Sequence, residues 1–327
     1  MCLSPLHITK NLPNGTILER VVPCGRCPEC LSKRQSAIVV RSYIESCKYS
    51  KVCMFTLTYN EDSLPYTEDG EVTLRREDIK NWKKDFRKLI SNHEFSWICS
   101  GEYSPRGFHR PHYHGMLFGL DKKDLTIIED CWSKKYGFTV FKQVPCVSHK
   151  DLLNVSRYIS KYVIKDEEFV QPSPEVESPR ILTSIGFGYP DEHFWNYVLC
   201  FDKFVYDPFV AETVTLEIAK SVCDRLYFPI DGFRYSIPQY AIRKKLYYYD
   251  SAKVLRPSPL YTMVSFVKKF GSKRISFAEF QSFCSENPER TVYQNAVAFG
   301  YLQELSNVDK SDFERENIIS TYKKSLI

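Results

Sequence analysis

The chain has 327 residues, 43% of them hydrophobic and 26% charged, with a formal net charge of +5. That is enough apolar sequence for a real core in one large or two ordinary domains. No run reaches the roughly 18 apolar residues of a membrane-spanning helix, which excludes that class.

The N-terminus, Met1-Cys2-Leu3-Ser4-Pro5-Leu6, has no basic region followed by an apolar stretch, so a reducing cytoplasm is the expected compartment. The mild basic excess fits an anionic partner, and a solvated lysine-rich surface would produce it equally well. Aromatics make up 15% of the chain, most of them needed as core, with some free to stack on nucleobases.

In chain order, residues 1–30 read as irregular, with Pro13, Asn14, Gly15 and Pro23. Leu31 to about Cys47 favours a helix carrying Lys33, Arg34 and Arg41. Val52 to Tyr59 is a strand by β-propensity, and Asn60 to Gly70 a loop. Ile79, Trp82, Phe86, Leu89 and Ile90 recur at helical spacing, which predicts an amphipathic helix over about 75–91. Phe95 to Tyr103 and His112 to Phe118 read as two strands joined by a loop of Pro, Gly and Arg. Asp121 caps a helix to about Tyr136, with Gly137 just past its end. Phe138 to Val144 is another strand. Ser148-His149-Lys150-Asp151 has capping-box spacing and opens a helix to about Lys165.

The inner order β-α-β-β-α-β is the ferredoxin-like split pattern, an α+β fold with an antiparallel sheet and helices on one face. Asp166 to Arg180 carries Pro172, Pro174 and Pro179 among acidic residues and reads as a linker or surface loop. The expected organisation is a Cys-containing segment and helix over 1–50, a core over 51–166, a linker over 167–180, and a mostly helical region over 181–327.

His112-Tyr113-His114 is the most informative chemical feature. Residues i and i+2 on a strand share a face, so two imidazoles can grip one divalent metal. Glu102, at the end of the preceding strand, is the candidate third ligand, and His109 is its competitor. On the helix near residue 160, Tyr158 and Tyr162 are four apart and so stack on one side, as do Lys161 and Lys165. Leu152, Val155, Ile159 and Val163 form its buried stripe, with the tyrosines at the border. A phenol, with its pKa near 10, becomes a nucleophile at neutral pH where cations favour the phenolate.

A second cluster is Cys24-Gly25-Arg26-Cys27-Pro28-Glu29-Cys30. With Cys2 it offers four thiolates, the number a structural Zn²⁺ takes; free thiols are the alternative. Each feature alone has a bland reading: an ordinary strand pair of histidines, tyrosines packing at a helix rim, lysines on a solvated face. Tyr247-Tyr248-Tyr249 is read as a buried amphipathic segment, and His7, His93, His149 and His193 carry no functional claim.

Taken together, Phe55-Thr56-Leu57-Thr58-Tyr59-Asn60, Arg110-Pro111-His112-Tyr113-His114-Gly115 and Tyr158-x-x-x-Tyr162 followed by Lys165 resemble, in that order, three motifs of the HUH endonucleases. The closer resemblance is to the replication initiation proteins of small circular single-stranded DNA phages, the Microviridae, and within them the gokushovirus group. It covers about residues 52–165, with weaker similarity at Gly186-Phe187-Gly188-Tyr189 and Ile237-Pro238-Gln239-Tyr240.

The resemblance implies an enzyme that nicks and rejoins single-stranded DNA at a replication origin through a 5′-phosphotyrosine link. The free 3′-OH then primes rolling-circle synthesis. Tyr158 and Tyr162 would be the nucleophiles, assisted by Lys161 and Lys165. His112, His114 and Glu102 would hold Mg²⁺ or Mn²⁺. Thr56, Thr58, Arg106 and Arg110 would meet DNA. Host helicase and polymerase are the further partners expected, in the cytoplasm of a bacterial host. Rival expectations are a relaxase or transposase of the same chemistry, a non-catalytic single-strand-binding module, and a zinc-stabilised scaffold.

Overall fold

A computed structural model of the chain describes residues 2–11, 17–90, 94–104, 109–144, 148–168, 172–230, 232–271 and 276–299. At residues 10, 17–20, 149, 162–168 and 270–271 it describes the backbone alone. The fold is α+β with antiparallel sheets. The chain forms two compact units, residues 1–190 with 228–241, and residues 191–227 with 242–327.

The first unit opens on β1 (Leu6–Asn11) and β2 (Ile17–Val22), an antiparallel pair in register from Leu6↔Val22 to Asn11↔Ile17. The expectation of an irregular segment over 1–30 is corrected here. Ile17-Leu18 and Val21-Val22 carry strand propensity, and the Pro13-Asn14-Gly15 run separates the two strands rather than breaking up the whole segment. That run lies outside the described residues.

The central sheet follows the expected elements closely. They are α1 (Pro28–Lys48), β3 (Val52–Tyr59), α2 (Arg76–Leu89), β4 (Ser96–Tyr103), β5 (Pro111–Phe118), α3 (Lys122–Ser133), β6 (Gly137–Val144) and α4 (His149–Glu168). Local chemistry explains the helix starts. Asp121 accepts from the backbone N–H groups of Lys123 and Asp124, and Asp124 returns a bond to Asp121, a complete capping box. Ser148 and Asp151 exchange the same pair of bonds at the start of α4. Helix α3 ends at Ser133, short of the expected Tyr136, and a turn over 134–136 leads into Gly137 at φ +143°. A Cβ at Gly137 would lie 2.3 Å from the Asn60 backbone nitrogen, so glycine is needed for this close approach.

The strands align in the order β6-β3-β5-β4-β7, where β7 is Ile181–Thr183. Every neighbouring pair is antiparallel. β7 was not expected. Three residues are too few for an alternating pattern to show in a sequence. It pairs with β4 through Ile98↔Thr183 and Ser100↔Ile181, so the first unit runs on past the linker expected at 167–180.

One face of the sheet is dry. Phe55, Leu57, Tyr59, Cys99, Tyr113 and Leu117 pack there against Ile79, Trp82 and Phe86 of α2 and Leu125, Ile128 and Trp132 of α3. The other face was expected to be bare of helices and is not. Val52, Ile98, Met116 and Phe118 pack against Ile38 of α1, Val155 and Ile159 of α4, and Phe187. α1 and α4 pack side by side, with Ser42, Ser46, Ser156 and Ser160 all buried; such small side chains suit a close helix approach.

The two weakly matching C-terminal motifs also return to this unit. The guanidinium of Arg41 donates to the Phe187 carbonyl at 3.1 Å and lies 5.0 Å from the ring centroid of Tyr240. Gly188, at φ +66°, donates to Glu45 at 2.7 Å, and a Cβ there would meet the Arg41 backbone at 2.5 Å.

The second unit holds helices Glu192–Leu199, Leu216–Arg225, Pro259–Gly271 and Phe277–Glu286 with short strand pairs. The tyrosine run, expected to be buried, is a strand paired with Leu255–Pro257, and Tyr248 and Tyr249 are exposed. Ring contacts such as Phe266–Phe280, at 4.8 Å between centroids, form part of its core.

Candidate active site

Strand register builds the site. Glu102 on β4 stands directly opposite His112 on β5, and His114 lies two residues along the same face. Glu102 Oε2 is 3.4 Å from His112 Nε2 and 3.2 Å from His114 Nε2, and the imidazole centroids are 4.7 Å apart. Neighbouring ligands bonded at about 2.1 Å to a single ion lie about 3.0–3.4 Å from one another, so the donor set fits one divalent cation. The three side chains form one of the two clusters with metal-ligand spacing among the described residues. His109, the competing ligand, is exposed at φ +48° and lies outside this cluster.

The second ring nitrogens are held as well. His112 Nδ1 donates to the carbonyl oxygen of Arg110 at 3.1 Å. A carbonyl only accepts, so the neutral ring presents its Nε2 lone pair toward Glu102. Two lone pairs and a carboxylate converging at such distances repel one another unless a cation lies between them. Thr56 Oγ1 is hydrogen-bonded to His114 Nδ1 at 3.0 Å. Backbone carbonyls and hydroxyls in these positions fix ring orientation in metal sites. Neither orienting group was assigned that role on sequence grounds.

Tyrosines around the site divide by environment. Tyr113, between the two histidines, points to the dry face, where burial pushes its phenol well above the usual range. Burial does the same to Tyr59, whose hydroxyl donates to Asp78 at 2.9 Å. Neither is suited to attack. Tyr158 is half-buried at the rim of the opposite cluster, on the face that carries the triad. Helix α4 packs over β4 and β5, the two strands that hold the triad.

Lys161 is exposed. The side chains of Tyr162 and Lys165, and the whole of Arg106, lie outside the described residues. Arg110 is tied internally, donating to the Tyr59 carbonyl at 2.7 Å and pairing with Glu61. Thr58 stands in the row of His112 and Glu102.

The four cysteines also meet. Cys2, Cys24, Cys27 and Cys30 form the other cluster with metal-ligand spacing. Sulfurs of Cys2 and Cys27 are 3.9 Å apart, and those of Cys24 and Cys30 are 4.0 Å apart. Backbone N–H groups of Cys24 and Cys27 donate to the sulfurs of Cys2 and Cys24 at 3.2 and 3.3 Å.

Residues 52–167 match the family model of replication-associated protein ORF2. Replication-associated protein ORF4 of Chlamydia phage 1 is 24% identical over 238 residues, covering 67% of this chain and 52% of that protein. The two matches support a phage rolling-circle replication initiator. The chain spans about half the length of this curated relative. A crystal structure of the hypothetical protein ORF119 from Sulfolobus islandicus rod-shaped virus 1 aligns at 16% identity, over 41% of this chain and 96% of that one. Its TM-score is 0.26, too low to carry an argument. No described helix is long and apolar enough to cross a membrane.

Proposed function

We propose that the chain is a metal-dependent DNA-nicking and rejoining enzyme of the HUH type that initiates rolling-circle replication at a single-stranded origin. The observation that carries this reading is the Glu102-His112-His114 triad, set on the same sheet face as α4 with its Tyr158. The strand order, with the first and third strands of the β-α-β-β-α-β run central, supports a ferredoxin-like core.

Glu102, His112 and His114 would hold Mg²⁺ or Mn²⁺, which when bound polarises a nonbridging oxygen of the scissile phosphate. Thr56 and the Arg110 carbonyl keep both imidazoles turned to that task. The Tyr158 oxygen attacks phosphorus, an O–P bond forms, and the P–O3′ bond breaks. The phenol proton leaves to solvent, and the released 3′-oxygen takes one up to give the 3′-OH primer. Tyr162, one helical turn along α4, serves the second transesterification. Lys161 and Lys165 offset phosphate charge, and Thr58 and Arg106 contact the strand. Origin DNA, with host helicase and polymerase, completes the partner set in the host cell.

Cys2, Cys24, Cys27 and Cys30 are the proposed ligands of a structural Zn²⁺. Sulfurs bonded at about 2.3 Å in a tetrahedron lie about 3.8 Å apart, close to the 3.9 and 4.0 Å separations.

The test of the enzyme reading is a denaturation-resistant protein–DNA adduct, formed with Mn²⁺ and single-stranded DNA from the protein's own replicon. Replacing both Tyr158 and Tyr162 by Phe should abolish it. Binding with no adduct under any divalent metal would instead identify a non-catalytic single-strand-binding module.

A further inference from the structure

Strand β6 is the outer strand of the central sheet beyond β3, and its alternate residues Phe138, Val140 and Lys142 face away from the α2/α3 core. Phe138 is 65% exposed and Val140 64%, and Lys142 is exposed beside them. Cross-strand register fixes where these residues stand. Phe138 lies in one row with Thr58, His112 and Glu102. Val140 stands in the next row with Thr56 and His114, and Lys142 in the row of Met54 and Met116. Residues in one row of an antiparallel sheet point to the same face, so the three share the face of the metal triad. Helices α1 and α4 cover that face near Val52, Ile98 and Phe118. They leave Phe138 and Val140 bare.

Scattered exposed apolar residues are ordinary. Here two sit at i and i+2 with a lysine at i+4, in register with the triad. Phe138 is two strand spacings from His112, about 10 Å.

We propose that Phe138 and Val140 form a base platform for single-stranded DNA. The base of a nucleotide adjoining the scissile phosphate stacks on Phe138 and packs on Val140, and Lys142 meets a flanking phosphate. This rests on the nicking reading for the position of the scissile phosphate. A ring stacks on any unpaired base, because every base has a π-face, whereas bases inside a duplex are already stacked. The platform therefore selects single strand over duplex rather than reading sequence. Lys142 supplies the charge that matches the backbone.

The experiment uses the full chain with Mn²⁺ and a fluorescent origin-strand oligonucleotide. Phe138→Ala combined with Val140→Thr should weaken single-strand binding by roughly 5- to 100-fold. Duplex binding and the melting temperature should stay unchanged, and the adduct should still form at saturating DNA. Phe138→Trp should retain affinity and show indole quenching on binding. Scanning abasic sites along the oligonucleotide should find one position where wild type and variant bind alike. The platform is overturned by any of three results: single-strand affinity within about twofold of wild type, equal losses on duplex and single strand, or a penalty that no abasic site removes. A protein partner on this patch would give the first result. If wild type binds but forms no adduct, the nicking reading fails, and the binding comparison still decides the platform.

Discussion

Glu102 becomes a ligand only through its position opposite His112. It is 8% exposed, and without a cation its carboxylate would be an acid buried beside two imidazole lone pairs, a costly arrangement. Spacing pointed to all three side chains, because i and i+2 on a strand must share a face. Distance along the chain could not choose between Glu102 and His109; the β4–β5 register does. Thr56 shows the reverse case. Its motif suggested a DNA contact, and the structure bonds its hydroxyl to His114 Nδ1. Thr56→Val keeps the shape and removes that orienting bond. It should weaken metal affinity by roughly 10- to 100-fold, read as the Mn²⁺ concentration giving half-maximal adduct. An unchanged Mn²⁺ requirement would refute the orienting role. Imidazole nitrogen also suits Mn²⁺ better than the oxygen-seeking Mg²⁺, so the same titration with Mg²⁺ should need the higher concentration.

Helices α1 and α4 carry the site's geometry at the scale of elements. α4 was legible in full: Ser148 and Asp151 cap it, and its apolar residues recur at helical spacing. Its partner was not, because nothing in a sequence says which helix another will lie beside. α1 has Cys27 at its N-cap with no side-chain capping bond, and Cys30 follows in the first turn. Cys27 is held by a Leu3 backbone hydrogen bond with its thiol lowered to about 6, whereas burial pushes Cys30 up to about 12. A bound Zn²⁺ would tie this unsupported helix end to Cys2 and so to the start of the chain. Purified protein should carry about one equivalent of zinc. Stripping it with a chelator should lower the thermal midpoint by several degrees, as expected for the loss of a structural metal. Zinc far below one equivalent, or an unchanged midpoint after removal, would reject the site.

On the scale of the molecule, the first unit is discontinuous. Phe228–Ala241 returns to it after residues 191–227 have entered the second unit. Ile230 joins Val39, Tyr43 and Leu153 in a buried cluster, and the Phe228 ring packs edge-on to Tyr43 at 5.9 Å between centroids. A chain truncated after Pro190 loses both. The cost should be on the order of 2–5 kcal/mol for each large side chain removed from its buried contacts, visible as a lower urea midpoint; a fragment as stable as the full chain would show the returning segment to be dispensable. The sequence by itself determined the element order from α1 to α4, the helix caps, and the side chains able to bind metal or attack phosphorus. These follow from local propensity, hydrogen-bonding chemistry and periodicities of 2 and 3.6 residues. Only the tertiary structure decided which helices cover which face, that β1 pairs with β2 and β7 with β4, that Arg110 is tied to Tyr59 and Glu61, and that Phe138 and Val140 stand bare beside the triad. Those outcomes depend on pairing between distant segments, and neither register nor exposure is encoded within any one of them.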